Sequence, residues 1–128
     1  MGISNTAKLV FGFEVGGEDE PPAWLGEDQE FSEFLSEKLG IPTNDYKARW
    51  TAEAACIVDL DQHCSDSYPM YILTIRACTK TAERGYLTEI DPSSLIVPEE
   101  KIAEFKAWCE GYDIPYQEPK WLLCSMNG

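Results

Sequence analysis

The sequence contains no apolar run near the ~18 residues that mark a membrane-spanning helix. The stretch from Met1 onward also lacks the basic and apolar regions of a secretory leader, so the expectation is a cytoplasmic protein without membrane contact. Paired cysteines are missing too. Cys56, Cys64, Cys78, Cys109 and Cys124 are odd in number, no two form a C-x-x-C unit, and four of them lie inside apolar patterns. That spacing argues against a disulfide framework or a structural zinc site. It leaves five reduced thiols, mostly packed as small hydrophobes. Histidine occurs once, at His63, so acid–base chemistry near neutral pH has a single candidate. Its neighbour Cys64 points away from it in an extended chain and cannot serve as its partner. No P-loop, dinucleotide-binding glycine fingerprint or G-x-S-x-G elbow is present. We therefore expect a non-enzymatic protein, with no catalytic residue and no cofactor to assign.

Positive charge is also scarce. Ten Lys and Arg stand against 23 Asp and Glu, for a net charge of −13. Proteins that bind nucleic acid present basic patches, so nucleic acid is not an expected partner. The same field favours encounter with a basic protein and keeps the chain in solution.

What is present is enough for one domain: 128 residues, 44% hydrophobic, with aromatics spread along the whole length. From Ala7 to Val15, residues Leu9, Phe11, Phe13 and Val15 fall on one face with Lys8 and Glu14 on the other, which predicts a strand. Gly12 in its middle predicts a bulge or a close backbone approach. Asp28 is placed to cap a helix reaching Leu39, with Phe31, Phe34, Leu35 and Leu39 as its buried stripe. Gly40, Ile41 and Pro42 then form a strong stop. Strands are predicted over Glu53–Asp61 and Met70–Cys78, with Tyr86–Ile90 as a candidate extra one. Pro98 opens a second helix striped by Ile102, Phe105, Cys109 and Tyr112. Trp121–Met126 is the last strand. This order, βαββαβ, predicts a ferredoxin-like α+β domain with an antiparallel sheet and two helices on one face. A sheet with one uncovered face often pairs two copies, and Ile57, Met70 and Ile72 are the residues expected there.

Three groups of residues are candidates for function. The segment from Glu14 to Glu37 holds nine acids and no Lys or Arg. Within it, Glu18, Asp19, Glu20, Glu27, Asp28, Glu30, Glu33 and Glu37 can form one anionic surface, with Trp24 as an apolar anchor. That surface suits the basic groove of a partner protein, and it equally suits a solvated helix face. Arg76, Lys80 and Arg84 are the one close basic cluster, the alternative being an oligomeric protein that sequesters a small anionic ligand such as a nucleotide there. Asp59, Asp61 and His63 share a strand face and have the donor types of a divalent-metal site, the further alternative being a metal-dependent enzyme. Cys64 and Met70 stand where an EF-hand needs Gly and Glu, so that motif is excluded.

At the end of the chain a helix closed by Gly111 and Ile114-Pro115 is followed by Glu118-Pro119-Lys120-Trp121-Leu122-Leu123-Cys124. This ending resembles small acidic accessory proteins of tailed bacteriophages. The resemblance is one of style over the last third of the chain and transfers no site residue. It implies a phage-encoded protein in the bacterial cytoplasm, a class in which inhibitors of host defence are frequent.

Overall fold

The computed structural model describes residues 5–17, 20–26, 28–65 and 69–127. It is an α+β domain with a five-stranded mixed sheet and three helices among the described residues. Strand β1 (Asn5–Val15) is the hub. One edge of it bonds β5 (Lys120–Asn127), in register from Asn5↔Asn127 to Gly12↔Lys120. Its other edge carries two strands end to end. Strand β3 (Pro69–Ile75) pairs with residues 12–15, and β4 (Lys80–Glu83) pairs with residues 6–9. A 3-10 turn over Arg76–Cys78 separates them, so the predicted single strand to Cys78 breaks after Ile75. The extra strand therefore lies at 80–83 and not at 86–90, whose residues are irregular.

Gly12 sits where β1 meets β3. A Cβ there would lie 1.9 Å from the Leu73 carbonyl oxygen, so the expected close backbone approach is realised and only glycine fits.

Strand β2 (Val58–Ser65) forms a hairpin with β3, from Val58↔Ile75 to Cys64↔Pro69. Its far end then meets β5 in parallel, at Cys64↔Met126 and Ser65↔Asn127. The sheet curls until its outer strands touch. This corrects the expectation of a ferredoxin-like βαββαβ domain with a purely antiparallel sheet and an open face: the order is βααβββαβ and the sheet is mixed. Val10, Ile72 and Thr74, on the face away from the main helices, are 0%, 1% and 0% exposed. Ile72 is thus unavailable for pairing two copies, and Ile57 packs against the main core instead.

That core lies between the sheet and two helices, α1 (Phe31–Leu39) and α3 (Glu99–Gly111). Phe11 and Phe13 of β1 meet Phe31, Phe34, Leu35, Phe105 and Cys109 there, all buried. Phe105 is fully enclosed, and burying such a side chain is worth roughly 2–3 kcal/mol. The predicted stripes face the core: Phe31, Phe34, Leu35, Phe105 and Cys109 are buried, Ile102 and Tyr112 partly so, and Leu39 is exposed.

Two helix predictions needed correction. Asp28 has φ 57, a left-handed turn, and Glu30 stands at the helix start. Residues 46–55 form a further helix, α2 (Tyr46–Ala55), capped by the Asp45 carboxylate on the Ala48 N–H, so the second strand begins at Val58 and not at Glu53. Helix α2 buries no residue fully, so it has no apolar stripe to read. The stop after Leu39 is as expected: Gly40 has φ 71, and the Ile41 N–H donates to the Ser36 carbonyl at 2.8 Å.

Candidate functional site

The loop from Pro21 to Glu30 is fastened to α1 by one side chain. The Gly26 N–H donates to Gln29 Oε1 at 2.8 Å, and Gln29 Nε2 donates to Glu37 Oε2 at 3.0 Å. The Leu25 N–H closes a turn on the Pro22 carbonyl, which buries Leu25 and leaves Trp24 half-buried. The Trp24 ring packs on Phe34 with centroids 5.0 Å apart. Trp24 and Phe34 line a shallow open groove, rimmed by Asp28, Glu33, Glu37 and Lys38.

Two more grooves adjoin this one at Gln29. One holds Glu33, Glu37 and Arg49; the other holds Glu30, Glu53 and Asp59. Asp28, Glu30, Glu33 and Glu37 are exposed and make no ion pair among the described residues. Two cations lie beside them. Lys38 Nζ sits 5.7 Å from the centre of the Phe34 ring, and Arg49 donates to the Thr43 carbonyl and lies over Tyr46. Carboxylates from α1, from the loop before it and from α2 are thus gathered around Gln29. Glu20 is exposed farther back in the loop, where Gly17 and Glu20 form an isolated bridge. Glu14 is on the sheet face opposite Phe13 and does not belong to this surface. Glu18, Asp19 and Glu27 lie outside the described residues. Gln29 was not singled out from the sequence, because nothing in spacing marks a side chain that bridges loop and helix, whereas Lys38 follows Phe34 by one helical turn.

The β2 acids have a different environment. Asp61 accepts from Lys8 at 2.5 Å, with both side chains largely buried, and Asp59 meets Arg76 at 3.3 Å. Burial raises the Asp59 carboxyl above its usual value, Arg76 opposing it and Asp61 and Glu53 adding to it. His63 is half-buried, opposite Met70. Among the described residues no group of three or more His, Cys, Asp or Glu side chains is arranged to hold a metal ion. The metal reading therefore gains no geometric support, and Asp66 lies outside the described residues.

The basic cluster is dispersed. Arg76 is occupied by Asp59 and by the carbonyls of Cys56 and Val58. Lys80 opens β4 and Arg84 follows its last residue, roughly 13 Å away along an extended chain.

The thiols at Cys56, Cys78, Cys109 and Cys124 are all raised by burial, Cys109 to about 11, which keeps them protonated at neutral pH. No helix among the described residues is long and apolar enough to cross a membrane. The chain matches no protein-family model, no curated protein and no solved structure.

Proposed function

We propose that the chain is a non-enzymatic binding protein whose α1 face docks on the basic surface of a partner protein. The observation that carries this reading is the groove at Trp24 and Phe34, rimmed by exposed carboxylates that have no ion partner among the described residues. A half-buried Trp beside unpaired acids has the make-up of an interface anchor inside a polar rim. The net charge of −13 adds long-range steering toward a cationic surface. The resemblance to phage accessory proteins extends the reading to a phage-encoded inhibitor of a host defence protein, acting in the bacterial cytoplasm as a mimic of nucleic-acid charge.

The test is affinity capture from a bacterial lysate on the parent chain and on the Glu30→Gln/Glu33→Gln/Glu37→Gln variant, eluted with a salt gradient. The expected result is a basic protein that leaves the parent as salt rises and is not retained by the variant. Capture that is equal on both chains, or insensitive to salt, counts against the reading.

A further inference from the structure

We propose that the groove at Trp24 and Phe34 is a seat for one arginine side chain of the partner, and that Lys38 is an internal occupant which the arginine displaces. The inference rests on the docking reading above and names what the groove itself takes. Trp24 is its partly exposed aromatic wall, packed at 58° and 5.0 Å on Phe34, which lies beneath it and is 3% exposed. Its rim is anionic, formed by Asp28, Glu33 and Glu37. The chain already holds a cation there: Lys38 Nζ lies 5.7 Å from the Phe34 centroid and makes no ion pair with the rim carboxylates. An ammonium held over a ring without a carboxylate contact indicates where a cation–π site lies. A guanidinium fits the same place better, because it stacks flat on an aromatic face and can bond carboxylates through two N–H groups. The Gln29 bridge from Gly26 to Glu37 holds loop and helix in register, so the rim is set before a partner arrives. Lys38 is exposed near the end of α1, free to swing into solvent at little cost.

Fluorescence anisotropy with labelled octa-arginine and octa-lysine peptides, read from low to moderate salt, tests the seat. Octa-arginine is expected to bind more tightly than octa-lysine. Trp24→Ala should weaken the arginine peptide by about five-fold or more, and Trp24→Phe, which keeps an aromatic on Phe34, by less. Lys38→Met should tighten it by about three-fold, because the internal competitor is gone. Lys101→Met, which removes an equal charge from exposed α3, should change it by less than two-fold. If the peptide binds and Glu33→Gln/Glu37→Gln weakens it, but the Trp24 and Lys38 variants match the parent, the arginine seat is overturned and the wider anionic docking stands. If Lys101→Met tightens binding as much as Lys38→Met, the internal-occupant role is overturned. If neither peptide binds at low salt, the seat and the docking reading both fall.

Discussion

The carboxylates of β2 and those of α1 carry the same charge and meet opposite fates. Asp59 and Asp61 face cations supplied by distant parts of the chain, Arg76 and Lys8, and are partly or largely buried. Asp28, Glu33 and Glu37 face solvent with no ion partner among the described residues. Acids matched inside the fold are tied to it, because removing one partner leaves the other charge in a poor solvent. Acids left unmatched on one face contribute little to stability and remain available to a partner.

Four substitutions would break or sharpen this contrast, beginning with the largest effect. Gly12→Ala places a methyl group against the Leu73 carbonyl, at the junction where β1 and β3 make the sheet curl. A loss of roughly 3 kcal/mol or more is expected in chemical denaturation, together with exposure of the inner face. A variant as stable as the parent would mean the curl does not depend on that close approach.

Lys8→Met strands Asp61, whose side chain is 11% exposed. A fully buried pair broken on one side costs about 3–5 kcal/mol, so this partly exposed pair should cost about 2 kcal/mol. Lys8→Met/Asp61→Leu should recover most of that loss. If the double variant is no better than the single, Lys8 matters through packing and not through Asp61.

Asp59 supplies a pH test with a definite sign. Burial raises its folded pKa, so the folded chain holds the proton more tightly than the unfolded one. Its contribution therefore worsens as pH rises from the ordinary carboxylate range through the folded value, and stays unfavourable above it. Asp59→Asn should gain on the parent by up to about 1 kcal/mol as pH is raised from 4 to 8, since Arg76 keeps the Cys56 and Val58 carbonyls. Urea melts at each pH would show it. A variant that loses ground on the parent as pH rises would reverse the assignment.

Glu33→Gln/Glu37→Gln should move stability by no more than about 0.5 kcal/mol. The same variant should lose partner capture. A marked drop in melting temperature would place these acids with those of β2 as structural groups.

Local patterns were legible where one element alone decides the outcome. The alternation of β1 gave Phe11 and Phe13 to the core, and the stripes of α1 and α3 buried Phe34, Phe105 and Cys109. Helix α2 was hidden because a helix lying on the surface needs no apolar stripe. The break at Arg76–Cys78 was hidden because β-branched residues run straight up to it. For the candidate site, Trp24 and the α1 acids could be named from composition. Their grouping around Gln29 could not, because it depends on where the loop and α2 come to rest against α1.

Chain order and periodicity by themselves determined the mixed α+β class, the faces that α1 and α3 bury, the stop at Gly40 and the excess of negative charge. Tertiary structure decided which of those charges are matched. Lys8 and Asp61 are 53 residues apart in sequence and meet only because the curled sheet carries β2 toward β1 and β5. Side-chain period reports the face of an element, whereas pairing of charges depends on where distant elements come to rest.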